Sequence, residues 1–218
     1  MLRIFKHTFN AFQENTFVLT DETNECVIID AGCSNEFEQN QLVQTIESNH
    51  LKPVNLLNTH CHIDHFGGNK FLCDKYNLLP EFHEIEWKVM NQALDFQSFF
   101  NFSVEPSPKP KHWLKEGDEI SFGKTVLKTL FTPGHSPGSL SFYNEAERIV
   151  VCGDVLFQGS VGRFDLPGAS GEVLLNSIMQ KLMTMPDDVK VFCGHGNDTF
   201  IGVERRTNPF LQQGAFFN

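Results

Sequence analysis

Four metal-capable side chains fall within six positions, His60-Cys61-His62-Ile63-Asp64-His65. They follow the compact apolar run Val54–Asn58 and precede Gly67-Gly68. This arrangement constrains the fold, because a scaffold must present the cluster at the end of a buried strand. At a strand end, His60 and His62 at i and i+2 project to one side and can hold one ion. Asp64 and His65 follow as the chain turns, with Gly67-Gly68 giving that turn its freedom, and can face a second ion. The competing reading is a polar surface loop. Three of the nine histidines in six positions argue against it.

A four-ligand site alone would resemble closed structural zinc. Three further candidates point to an open active site. His135 lies in TPGHSPGS after TVLKTLF, Asp154 in CGD after RIVV, and His195 in CGHG after VKVF. Each sits beside glycine on a strand-end loop, where a rigid scaffold delivers functional groups. The seven donors suit two ions. His60, His62 and His135 take one; Asp64, His65 and His195 take the other. Asp154 bridges them, since a carboxylate offers two oxygens. The mixed N/O set suits two divalent ions, Zn²⁺ first, and Fe and Mn accept the same donors. His7, His50, His83 and His112 lack the pattern and read as surface or locally bonded.

The net charge of −10 in 218 residues argues against nucleic acid as a partner, because a duplex binder needs a Lys/Arg face. The opening MLRIFKHTFN has no signal-like apolar stretch, and no run is long enough for a membrane helix. The expectation is a cytoplasmic chain whose six cysteines, none in a CxxC pair, are reduced and buried. Cys61, Cys152 and Cys193 flank proposed ligands but point the other way. Oligomeric state is not readable.

Strands are expected at Leu2–Thr8, Thr16–Thr20, Glu25–Asp30, Val54–Asn58, Glu119–Phe122, Thr125–Phe131, Ser139–Tyr143, Arg148–Cys152 and Val189–Phe192. Helices are expected at Asn35–Asn49, Asn69–Tyr76, Glu84–Leu94, Glu172–Met185 and Glu204–Gln213. Phe96 to Trp113, with Pro106, Pro108 and Pro110, reads as a surface loop. Strands and helices in this order suggest two sheets packed face to face with helices outside, in one domain over 1–218.

THCHIDHFGG, TPGHSPGS, GDVLFQGSVGR and FCGHG, in this order, resemble the metallo-β-lactamase superfamily, and more closely its glyoxalase-II-like (hydroxyacylglutathione hydrolase-like) branch. QENTFVL, GRFDLPGA and ERRTNPFL resemble that branch's short, single-domain members. The resemblance implies an α/β fold, an αββα four-layer sandwich of two mixed sheets flanked by helices. It carries metal roles onto His60, His62, Asp64, His65, His135, Asp154 and His195. It also implies hydrolysis of a small-molecule thioester such as S-D-lactoylglutathione. Full-length glyoxalase II enzymes add a C-terminal helical domain that holds glutathione; about two dozen residues follow His195 here. They also place a basic residue and a Tyr on the glutathione arm, where Arg163 and Asp165 stand.

The expected mechanism is attack by a metal-bound hydroxide, held by the catalytic carboxylates Asp64 and Asp154. Arg163 is the candidate substrate anchor, against the alternative of a structural Arg. The Phe-rich segment Phe96–Phe102 reads as a local cluster or a lid. Rival functions are an iron-dependent persulfide dioxygenase, which shares His60, His62, His135, Asp154 and Arg163, and a nuclease or phosphodiesterase of the same fold. A zinc-stabilised binding protein is the non-catalytic rival.

Overall fold

The structure is a computed structural model, and it describes residues 2–97, 102–110 and 112–212. Two sheets form its centre. The first is built from β1 (Arg3–Phe9), β2 (Glu14–Thr20), β3 (Glu25–Ile29), β4 (Lys52–Leu57) and β5 (Pro80–Glu81), in that spatial order. β1, β2 and β3 pair antiparallel, whereas β4 joins β3, and β5 joins β4, in parallel. The second contains β6 (Glu119–Phe122), β7 (Thr125–Phe131), β8 (Leu140–Asn144), β9 (Ile149–Gly153), β12 (Lys190–Cys193) and β13 (Thr199–Phe200). Its spatial order is β13-β12-β9-β8-β7-β6, with only β12 and β9 parallel. A short hairpin, β10 (Leu156–Phe157) with β11 (Ser160–Val161), stands apart.

The layering follows from the period-two alternation of side chains along a strand. Phe17 and Leu19 of β2, Val27 and Ile29 of β3, Val151 of β9 and Phe192 of β12 point into one cluster between the sheets. The intervening residues point outward. Val18, Cys26 and Ile28 meet Leu42 and Ile46 of α1 (Glu36–Ser48) and Leu72 of α2 (Asn69–Tyr76). On the far side, Val150, Cys152, Val191 and Cys193 meet Leu174 of α4 (Gly171–Ser177) and Ile178 and Leu182 of the π-helical turn that extends it. Central strands covered on both faces read as apolar runs, as CVII and RIVV do. The four layers are therefore helices, sheet, sheet, helices. All six cysteines are free and buried. No helix among the described residues is long and apolar enough to cross a membrane.

Local signals explain most boundaries. Asn35 caps α1 by accepting from the Glu38 amide. The expected helix over 172–185 is split, α-helical to Ser177 and π-helical over Ile178–Leu182. The expected tail helix is α5 (Ile201–Thr207) and then a 3₁₀ turn at Pro209–Leu211, because proline cannot continue the helical ladder. α3 spans Glu86–Phe96, two residues later than expected. Of the proposed Phe-rich lid, Phe99 and Phe100 lie outside the described residues. Phe102 packs edge-on against Phe12, ring centroids 5.3 Å apart.

Candidate metal centre

β4 ends at Leu57, three residues before the first histidine. His60 and His62 therefore sit on an irregular loop, and the strand pleat expected to align them is absent. Asp30 supplies the alternative. Its carboxylate accepts from the Thr59 amide at 2.7 Å and the Thr59 hydroxyl at 2.6 Å, and its own amide donates to Leu57 O. Asn58 then closes the loop by donating to His65 O at 2.9 Å. The result brings the His60 and His62 rings to 4.7 Å, nearly perpendicular. Cys61 points away into an apolar cluster with Ile63, Phe66 and Phe82.

The four loops converge. His60, His62 and His135 have ligand atoms within 4.8 Å of one another, and so do Asp64, His65 and His195. Asp154 lies between the groups. One of its oxygens is 3.6 Å from His65 Nε2, and the other is 3.5 Å from His135 Nε2 and 3.4 Å from His195 Nε2. Asp64 Oδ2 lies 3.2 Å from His195 Nε2 and 3.6 Å from His65 Nε2. All seven residues expected from the sequence thus meet, in the two groups expected. Asp30 with His60 and His65 forms a third cluster of the same tightness.

Outer hydrogen bonds aim the rings. His135 Nδ1 donates to Arg163 O at 2.8 Å and His195 Nδ1 to Phe12 O at 3.0 Å. His65 Nδ1 lies 3.2 Å from Asp30 Oδ2. The Thr59 hydroxyl, already donating to Asp30, accepts from His60 Nδ1 at 3.1 Å. Each ring so held turns Nε2 inward, and in the neutral imidazole that nitrogen offers the lone pair that binds metal. Burial pushes His60 well down, His62 to about 3 and His135 to about 4, so these three are neutral at physiological pH. Burial also disfavours a charged His65, but Asp64 and Asp154 outweigh it and raise its pKa well above the ordinary value. Burial would raise Asp64, yet His65 and His195 hold it well below the usual carboxylate range. Asp154 is raised, chiefly by burial.

The donors fit a bound cation. His60 Nε2, His65 Nε2 and Asp154 Oδ1 are buried without a hydrogen-bond partner. Orphaned buried polar atoms are costly unless something else satisfies them. His62 Nδ1 and His135 Nε2 face each other at 2.9 Å. Gly194 completes the cradle: a Cβ there would come within 2.2 Å of Asp154 Oδ1 and 3.0 Å of His65 Cε1.

Arg163 contributes its backbone carbonyl to this centre. Its guanidinium forms a two-pronged ion pair with Asp165 at 3.0 and 3.1 Å, both side chains being exposed. Three buried carboxylates escaped the sequence reading. Asp30 and Glu14 stand behind His65, Glu14 at 4.0 Å. Glu86 joins two ligand loops: it accepts from the Cys61 amide at 2.7 Å, the Ser136 hydroxyl at 2.5 Å and the Gly138 amide at 2.7 Å. Asp30 had a signal, a carboxylate ending the apolar run CVII; Glu86 had none, since it opens an ordinary amphipathic helix.

Known proteins are similar to this chain in sequence and in fold. The family model of the metallo-β-lactamase superfamily matches residues 9–195, which span every donor named above. The probable metallo-hydrolase YqgX of Bacillus subtilis is 40% identical over 91% of this chain and 92% of its own. The hydroxyacylglutathione hydrolase GloC of Haemophilus influenzae is 34% identical over 92% and 94%. Among solved structures, the B3 metallo-β-lactamase BLEG-1 superposes with a TM-score of 0.89 at 32% identity, covering 96% of this chain and 100% of that one. TTHA1623 in a di-iron-bound form gives 0.84 at 35%, covering 95% and 100%. Donors on the loops of a four-layer sandwich, matched over nearly the whole chain, make this protein a member of the metallo-β-lactamase superfamily.

Proposed function

We propose that this chain is a binuclear metal-dependent hydrolase that cleaves a small-molecule thioester in the cytoplasm. The observation that carries the reading is the convergence of seven N and O donors in two groups around Asp154, with inward-facing buried atoms left unpartnered. The likeness to GloC supports the thioester. His60, His62 and His135 would hold one divalent ion, and Asp64, His65 and His195 the other, with Asp154 between. Zinc suits this set, and the di-iron form of TTHA1623 makes iron the metal to test beside it.

Such ions, when bound, supply Lewis acidity, polarising a carbonyl and lowering the pKa of water from 15.7 toward about 7. The chain's own part is orientation and proton handling. Asp64 and Asp154 are partly open to solvent, their side chains 12% and 11% exposed, so a water can reach both carboxylates. Asp64 stays ionised and accepts a hydrogen bond from the attacking water. His195, with 26% of its side chain exposed, marks the open side of the centre. Phe157 lies edge-on to it at 6.3 Å, which places aromatic surface beside the entry, and the Phe12 carbonyl accepts from its Nδ1. The departing thiolate, of ordinary pKa near 8.5, needs no strong general acid. With the Arg163 guanidinium held by Asp165, substrate anchoring through Arg163 requires that this exposed pair open.

The reading is tested by hydrolysis of S-D-lactoylglutathione, followed by loss of thioester absorbance. Turnover that disappears in His62→Ala supports it. Absence of thioester cleavage by metal-loaded protein contradicts it.

A further inference from the structure

The QENT segment has no role in the chemistry above, yet its surroundings give it one. The β1–β2 hairpin, through Asn10 in its turn and Asn15 near the start of β2, grips the backbone at Asp64 and on both sides of His195, two of the three donors in the Asp64/His65/His195 group. Asn10 Nδ2 donates to Asp64 O and Gly32 O, both at 3.0 Å. The Asn15 amide donates to Gly194 O at 2.7 Å. Its side-chain Nδ2 donates to Cys193 O at 2.9 Å and Gly196 O at 3.0 Å, the carbonyls flanking His195. Thr8 Oγ1 donates to Asn15 Oδ1 at 2.9 Å, which fixes the amide orientation and commits Nδ2 to the loop. Glu14 forms an antiparallel bridge with His195 itself.

None of these contacts reaches His60, His62 or His135. That group is braced elsewhere, by Glu86 on the Cys61, Ser136 and Gly138 backbone and side chains and by the Arg163 carbonyl on His135. Asp30 is common to both groups, holding His60 through Thr59 and meeting His65 directly, but the contacts of Asn10 and Asn15 fall on the Asp64/His65/His195 group alone.

We propose that Asn10 and Asn15 are positioning residues for the Asp64/His65/His195 metal position, so that the β1–β2 hairpin controls occupancy of that position independently of the His60/His62/His135 position. The physical reason is that a ligand on a glycine-flanked loop binds metal well only when its backbone is held. Without Nδ2 of Asn15, the Gly194-His195-Gly196 loop loses both flanking hydrogen bonds and samples more conformations. Outer-shell partners of this kind typically change metal affinity by about 10–100-fold.

The inference rests on the binuclear reading above, and the test separates the two. Metal per chain is measured by elemental analysis, and zinc affinity by titration calorimetry, on full-length wild type, Asn15→Ala, the same-size Asn15→Asp and Asn10→Ala. Far-UV circular dichroism checks the fold. The expected result is about two ions on wild type and about one retained by the Asn15 variants after mild chelation, with one affinity weakened about 10–100-fold. Adding His195→Ala to Asn15→Ala should remove nothing more, whereas adding His62→Ala should remove the remaining ion. Folded variants that keep both ions at unchanged affinity, or weaken both equally, overturn the positioning role while leaving the binuclear reading intact. A wild-type chain that holds a single ion overturns both. Should the Asn15 variants fail to fold, Asn10→Ala decides alone, since Asn10 reaches Asp64 by a separate contact.

Discussion

Replacing Glu86 with glutamine removes one buried acceptor while keeping the size of the side chain. Glu86 is fully buried and satisfies three donors, the Cys61 and Gly138 amides and the Ser136 hydroxyl. Those donors belong to the two loops that carry His60, His62 and His135. In the glutamine variant an NH₂ must face one of them, so at least one amide or hydroxyl becomes a donor without an acceptor. A hydrogen bond to a charged group is worth about 1.5–3 kcal/mol, and an orphaned buried donor costs about 1–3. The expected loss is about 2–4 kcal/mol. For a chain of this size each kcal/mol moves Tm by about 2–4 °C, so Tm should fall by roughly 5–15 °C. Scanning calorimetry of metal-stripped protein reads it without interference from metal binding. A fall of less than about 2 °C would refute the argument that this carboxylate bolts the loops together.

Other expectations follow from the same geometry. Burial would raise Asp21, but hydrogen bonds from Thr23, Lys124 and Thr125 hold it at about 2, against an ordinary 3.8. A depressed folded-state pKa stabilises above the unfolded value, so about 2 kcal/mol should be present above pH 4 and vanish as pH falls toward 2. Asp21→Asn should flatten stability across that window, as read by urea unfolding at several pH values. Gly194→Ala should abolish metal binding, because the added methyl occupies the space against Asp154 and His65; unchanged metal content would contradict this. Asp30→Asn should weaken zinc binding about 10–100-fold in titration calorimetry, since His65 and Thr59 both depend on the carboxylate.

Much of this was legible in the sequence, for identifiable reasons. Strands such as RIVV and CVII are buried on both faces and announce themselves as apolar runs. All seven donors stand on loops that follow strands, three of them (His135, Asp154 and His195) directly after a glycine, and loop geometry brought them together. The misses have two causes, strands too short to register and contacts between residues far apart along the chain. β5, β10, β11 and β13 are two-residue strands, too short for an alternation to register. Glu86 lies 25 and 50 residues from the Cys61 and Ser136 groups it joins. Asn15 lies 178 and 181 residues from the carbonyls it holds. Such contacts exist only once the two sheets have packed. The alignment of His60 with His62 was expected from a pleat, and it comes instead from a loop anchored on Asp30.

The account stands or falls on metal content measured with thioester hydrolysis on the same preparation. It predicts about two divalent ions per chain and cleavage of S-D-lactoylglutathione, lost in His62→Ala. One iron per chain, no thioester cleavage and oxygen uptake with glutathione persulfide would contradict it and establish a dioxygenase.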